Sequence, residues 1–554
     1  MIRVAALFIF LLVIASCQQS RNIIATKTNG SVNDLATNIR ILASDEFQGR
    51  KPFTTGETKT INYLKEQFIS IGIEPGGPNS YFQEVPMVSI ATVAAPTIKV
   101  ASHNKEFELK GYEDYVVWTE KTDPVVSLVE DELVFAGFGI VAPEYHWNDY
   151  ADIDVKGKVV MVMVNDPGFY GSKNLFKGDT MTYYGRWIYK FEEAARQGAK
   201  GCLIVHNTKA ASYPFSVLQN SWNGSKLRLD DRKNPQQFCS VVGWVSETAA
   251  TKLIEMSGQD TSLFGRARRQ GFKAVPLPLK ITTSIGTRAS YDVSNNVVGK
   301  ITGATKPDEF IIYSAHWDHL GIGRPDGNGD SIYNGAVDNA SGAAGLLELA
   351  RMFKQAKKKP QRSILFIAVT AEEQGLWGSA YYAENPIYPL AKTLANINLD
   401  GLNAYGKTRD IIVVGNPQTE LETYLKKEAK RTKRYIIYNK SPQAGHYYRS
   451  DHFSFARVGV PALYAGSGSE VIGQPAGYGQ KWKDEYGSKK YHRPGDEYDE
   501  KTWRLDGAYA DLNVLYKLGQ RVAAARKWPQ WRTDSEFRLI RERSLKEQAA
   551  KENK

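Results

Sequence analysis

From Asn296 onward the chain repeats one pattern, a short apolar run, a loop, an amphipathic stretch and another apolar run. Glu309 to Ala315, Ser363 to Thr370 and Leu394 to Leu399 have strand length, while Ser341 to Lys358 and Leu376 to Glu384 carry helical periodicity. This alternation predicts an α/β domain built on a mixed, mostly parallel sheet covered by helices. In such sheets ligands gather outside the carboxyl ends of the strands, so the residues that follow each run matter most. Here they are His316-Trp317-Asp318-His319 after the first run, Asp338 in the loop to the next helix, Glu372-Glu373 after the second run and Asp400 after the third. A single His or acid after a strand is ordinarily a cap, but recurrence at successive strand ends assembles a candidate ligand set. Carboxylates crowded at one sheet edge repel one another unless a cation neutralises them, and mixed His and carboxylate donors suit zinc.

The 554 residues exceed one ordinary domain. Val32 to Phe47 and Gly56 to Ile71 read as helices, the second closed by the turn-rich Gly72-Ile73-Glu74-Pro75-Gly76-Gly77-Pro78. Residues 125–285 change character, with strand-like runs at Leu133 to Val141, Lys158 to Val164 and Gly201 to Val205 and a helical Trp187 to Gln197. They read as a smaller β-rich domain inserted between residues 29–124 and 286–527 of the main one. A last helix is expected from Asp506 to Arg526, and residues 528–554, which mix both charges with few aromatics, read as a solvated tail.

At the other end, Arg3 precedes an apolar run from Val4 to Ile14, too short to span a bilayer, and then Ala15-Ser16-Cys17. Residues 1–16 read as a secretory signal peptide. Ile14-Ala15-Ser16-Cys17 resembles the lipobox of bacterial lipoproteins, which would make Cys17 the lipidated first residue and residues 17–28 a tether. A plain signal peptide is the alternative, and both place the protein outside the cytoplasm, in the cell envelope when anchored. The only other cysteines, Cys202 and Cys239, exclude a cysteine-rich zinc module and are candidates to pair. The net charge of +11 is dispersed, and Lys357-Lys358-Lys359 ends a helix, so nucleic acid is not an expected partner. The Gly321 to Gly329 loop lacks the Lys-Ser/Thr ending of a phosphate-binding loop.

Ser-Ala-His316-Trp-Asp-His, Val-Asp338-Asn-Ala-Ser-Gly, Thr-Ala-Glu372-Glu373-Gln-Gly, Asn-Leu-Asp400-Gly and Tyr-His492-Arg-Pro-Gly-Asp together resemble the co-catalytic zinc exopeptidases. That family includes bacterial leucyl aminopeptidase and, more distantly, glutamate carboxypeptidase II. The resemblance covers about Asn296 to Asp499, with Leu42 to Arg50 similar to the family's N-terminal segment. It implies two zinc ions bridged by Asp338, with His316 and Asp400 completing one site and Glu373 and His492 the other. It implies Glu372 as general base, Asp318 as the group that orients the His316 ring, Tyr447 as an oxyanion-stabilising phenol, and a cis bond between Asp338 and Asn339. His452 would lie near the pocket without binding metal, and His319 would be structural. Gly157-Lys158-Val159-Val160-Met161 and Ala194 to Val205 make the insert similar to a protease-associated domain.

The implied activity is an aminopeptidase acting on peptides. A carboxypeptidase or dipeptidase, a single-zinc glutaminyl cyclase and a non-catalytic receptor-like relative stay open. The complete ligand set weighs against the last two, while Arg324, Arg449 and Arg493 in rim loops keep the carboxylate-gripping alternative alive.

Overall fold

The computed structural model describes residues 31–552 apart from 103, 104, 172, 173, 221, 416 and 440. The expected signal peptide, Cys17 and its tether lie outside the described residues. Among the described residues no helix is long and apolar enough to cross a membrane.

At the centre of the main unit lie strands Arg362–Val369, Lys306–His316, Thr393–Asn398 and Ala462–Ser467, side by side and parallel. Antiparallel neighbours extend both flanks, Val275–Ile301 and then Phe82–Ala94 on one side, Asp410–Val413 on the other. Every residue of Arg362–Val369 and Thr393–Asn398 is buried, as expected of strands covered on both faces. Helices Val32–Leu42, Thr55–Ile71, Gly342–Lys354 and Asp506–Ala524 supply one covering layer, their buried Leu35, Leu64, Leu346 and Leu515 sharing a core with Ile311, Phe366 and Ile397 of the sheet. Trp377–Glu384 and His452–Arg457 pack on the opposite face through Tyr382 and Phe455.

The second unit has its own core and is larger than residues 125–285. Strands Thr97–Ser102, Lys105–Lys110 and Tyr115–Trp118 belong to it, because Ile98, Val100, Leu109, Tyr115 and Val117 find their apolar partners there and not in the main core. Its centre is a parallel set, Val159–Met163, Gly201–Val205 and Val241–Val245, flanked by helix Trp187–Arg196. Val275–Ile301 runs unbroken through both units, pairing with Val125–Phe135 in the insert and with Arg362–Val369 in the main sheet. Cys202 and Cys239 are both buried and both free.

The carboxyl-terminal residues form more than a solvated tail. Trp531 and Phe537 are buried against Tyr447, Tyr448 and Phe453, and the buried Arg541 of helix Arg538–Glu552 donates to the carbonyls of Leu390 and Thr393. Charge-rich composition concealed two aromatic anchors.

Candidate metal centre

The central parallel strands deliver side chains to one edge, as sequence order requires. His316 is the last residue of its strand; Glu372 and Glu373 follow Arg362–Val369, and Asp400 follows Thr393–Asn398. Asp338 enters from the loop that opens helix Gly342–Lys354, where the Asp338–Asn339 peptide is cis. His492, with φ of 56°, comes from the loop after helix Tyr478–Lys489.

Two groups of donors result, His316 with Asp338 and Asp400, and His319 with Asp338 and Glu373. Asp338 is common to both. His316 Nε2 lies 3.3 Å from Asp338 Oδ1 and 3.3 Å from Asp400 Oδ1. His492 Nε2 lies 3.2 Å from Asp338 Oδ2 and 3.0 Å from Glu373 Oε2, and His319 Nδ1 lies 2.6 Å from Glu373 Oε1. Two imidazoles thus compete for the second group. His319 groups with Asp338 and Glu373, and His492 Nε2 likewise faces oxygens of both acids.

Among the described residues, the salt bridges of Asp338, Asp400, Glu372 and Glu373 are with histidine only. The acids therefore act on one another. Burial drives the Glu372 carboxyl well above the ordinary range, and Asp400 and Glu373 add to it against His316. Burial opposes protonation of His316 but is overridden by Glu372, Asp338 and Asp400, which raise its pKa far above normal. Asp338, despite burial, is held well below the usual carboxylate range by His316 and His492. Mixed nitrogen and oxygen donors, converging with no lysine or arginine partner, fit a divalent cation of zinc's preferences.

Around this centre a supporting set fixes each loop. Asp318 Oδ1 and Oδ2 accept from the backbone N–H groups of Glu372 and Glu373 at 3.0 and 3.3 Å. Its carboxylate is 3.8 Å from His316 Nδ1, which sits closer, at 3.2 Å, to the Asp318 carbonyl. Asp318 therefore anchors the Glu372-Glu373 turn, and the carbonyl orients the imidazole. Asp496 accepts from the N–H groups of Val337 and Asp338, tying the His492 loop to the Asp338 loop. Asn339 links Leu399, Gly401 and Gly342, while Ser450 Oγ and Tyr464 Oη donate to Asp400 Oδ2 and its carbonyl, each at 2.5 Å.

Tyr447 is not with them. Its ring packs against His452, Tyr448 and Phe537, and its hydroxyl is buried without a hydrogen-bond partner among the described residues. Burial, then Glu422 and Glu536, act on that phenol, and none of the converging acids does. Two other phenols face the acids: the half-buried Tyr464, whose Oη donates to the Asp400 carbonyl, and the half-exposed Tyr491, stacked on the His492 ring with centroids 3.9 Å apart. For Tyr491, its position one residue before His492 was the available signal. His452 is fully buried, and burial lowers its pKa to about 3. Arg324 and Arg493 are exposed on the rim.

Residues 296–516 match the model of peptidase family M28. The aminopeptidase NAALADL1 of Mus musculus is 37% identical over 130 residues, 23% of this chain and 16% of that protein. A probable zinc metalloprotease of Pyricularia oryzae is 36% identical over 181 residues, 32% of this chain and 31% of its own length. The chain thus spans less than a third of either relative. Among solved structures, an aminopeptidase from Aneurinibacillus sp. strain AM-1 aligns over 89% of this chain and 94% of its own, with TM-score 0.48 and 18% identity.

Proposed function

We propose that the chain is an exported two-zinc exopeptidase of the aminopeptidase kind, which removes amino-terminal residues from peptides. The observation that carries this reading is the division of the acids: Asp338 is common to two His/carboxylate groups, while Glu372 belongs to neither. His316, Asp338 and Asp400 would hold one ion, and Asp338, Glu373 and His492 the other. A zinc pair when bound supplies Lewis acidity and a water of lowered pKa. Glu372, with Oε2 4.0 Å from His316 Nε2, is free to take the water's proton and pass it to the leaving amine. An oxyanion-stabilising phenol would come from Tyr464 or Tyr491, on both of which Asp400, Asp338 and Glu372 act. The Ile14 to Cys17 segment supports a lipid anchor at Cys17 on the cell envelope.

One observation favours a second reading, an exopeptidase that grips a carboxylate. Arg449 holds the carbonyl of Ala444, and the side chain of Arg186 from the insert approaches the adjoining Gly445. Among the described residues neither arginine forms an ion pair; Arg186 is buried and Arg449 is exposed, so the cation available to a carboxylate is Arg449. Metal analysis of protein prepared without chelator should give close to two zinc ions per chain. An aminoacyl chromogenic amide should be cleaved and its N-acetylated form spared; efficient cleavage of the acetylated substrate would remove the aminopeptidase reading and leave the metal site standing.

A further inference from the structure

Arg50 is the last residue of Gln48-Gly49-Arg50, all three in the left-handed region, with φ of 50°, 64° and 52°. The turn is pressed against the loop that leads to Asp338: a Cβ on Gly49 would stand 2.5 Å from the Tyr333 carbonyl and 2.6 Å from that of Gly321. Arg50 itself is 1% exposed. Its guanidinium makes no carboxylate bond and spends its donors on carbonyls from three separate segments. Nε donates to Trp317 at 2.9 Å, Nη1 to Leu42 at 2.7 Å and Asn334 at 2.6 Å, and Nη2 to Gly335 at 2.9 Å. Trp317 adjoins His316, and Asn334-Gly335 lead directly into Asp338. Leu42 ends the first helix, where backbone carbonyls lack partners. Asn334 repeats the tie in reverse, donating from Nδ2 to the Ala43 carbonyl and to Asp45 Oδ1.

We propose that Arg50 is a positioning residue, a guanidinium clamp that sets the separation of the His316 and Asp338 backbones by tying both to the end of helix Val32–Leu42. The proposal rests on the metallopeptidase reading above. A planar fork with fixed donor directions can bridge three segments; the point charge of a lysine cannot. Charge and geometry here oppose each other. A buried cation near Asp318, Asp338, Glu373 and Asp496 makes the site less negative and by itself weakens metal binding. The clamp, by preorganising ligands, strengthens it. The proposal holds that geometry wins.

The test compares R50K, which keeps the charge, with R50M, which removes it, in the zinc-loaded full-length protein. Wild-type zinc content is measured first; wild type without metal would sink the metallopeptidase reading and the proposal that rests on it, whereas a failure of the clamp alone shows only in the variants. The readouts are zinc release to a chromophoric chelator and the visible spectrum of the cobalt-substituted protein. Both variants should release zinc on the order of 10- to 100-fold faster, with an altered cobalt spectrum. Exchange protection of the insert strand Gly201–Val205 should stay as in wild type. N334S, which cuts only the reverse tie, should move the same way by less, and keeps the test alive if an Arg50 variant does not fold. Wild-type release and spectrum in R50K, or slower release in R50M, would show that Arg50 acts through charge alone and overturn the clamp.

Discussion

In the insert, Asp149 and Asp166 are buried close to Lys190, whereas in the other unit Asp338, Asp400, Glu372 and Glu373 converge, among the described residues, with only imidazoles as ion-pair partners and the Arg50 guanidinium spent on carbonyls nearby. Asp149 accepts from the N–H groups of Phe138 and Ile140, and Asp166 from Thr182 and Gly168, so each insert acid is satisfied locally. The amine of Lys190, itself fully buried and among the described residues without a hydrogen-bond partner, is lowered to about 7 by burial and drawn toward its charged form by Asp166 and Asp149. The peptidase edge instead leaves its acids to be compensated from outside. Compensation within the chain serves architecture, whereas an edge whose acids lack a lysine or arginine ion pair is where the proposed metal chemistry would be performed.

The largest expected effect comes from the residue common to both donor groups. Asp338→Asn should strip most bound metal and reduce turnover by more than the roughly 10,000-fold at the upper end for loss of a general base alone. Retention of full metal content, measured by elemental analysis, would break the claim that the two groups share one acid. Glu372→Gln sharpens the division of labour: zinc content should stay at the wild-type value while kcat falls on the order of 100- to 10,000-fold. Loss of metal with the activity would move Glu372 into the ligand set.

Much of this centre was readable before any coordinates, because strand-end residues in a parallel sheet must share an edge. His316, Glu372, Glu373 and Asp400 each follow an apolar run, so the period of the pattern locates them. What the pattern does not carry is direction within a loop. Tyr447 and Tyr491 both sit near motif histidines, and only the packing of Phe537 and Tyr448 around the first turns it away from the acids. Arg50 was illegible for another reason: its partners are backbone carbonyls up to 285 positions away, which leave no trace in side-chain chemistry. The strands between residues 97 and 118 look like any others, and only their apolar partners assign them to the insert.

Replacement of Lys190 tests the other half of the comparison. Lys190→Met keeps length and removes the charge, leaving Asp149 and Asp166 uncompensated in a buried setting. Because Lys190 makes no ion pair or hydrogen bond to either acid among the described residues, the cost should fall below that of a broken buried ion pair, about 3 kcal/mol. Hydrogen exchange at Val159–Met163 and Gly201–Val205 should speed up accordingly, while zinc content and the cobalt spectrum stay unchanged. A variant that lost metal would show that the two charge clusters are coupled.

The smallest effect is the pH response of that same cluster, and its sign follows from the direction of each shift. Burial lowers the Lys190 amine to about 7, against the pull of Asp166 and Asp149, and burial raises Asp149 to about 6. A lowered amine means that between about pH 7 and the ordinary lysine range the unfolded chain binds more protons than the folded one, so stability rises with pH there. A raised carboxyl gives the reverse: its contribution is complete below the ordinary aspartate range and is lost as pH climbs through about 6. The cluster is therefore least favourable between about 6 and 7 and gains on either side. Exchange protection of the insert strands should increase from pH 7 to 9 in the wild type, after correction for the intrinsic rate, and the increase should vanish in Lys190→Met. Because the amine and the two carboxyls answer one another, the gain should be well below that of an isolated buried lysine. Protection that stays flat across this range in both proteins would mean that the aspartates hold the amine charged throughout, and the insert would then be compensated by a permanent ion set instead of one that exchanges its proton near neutrality.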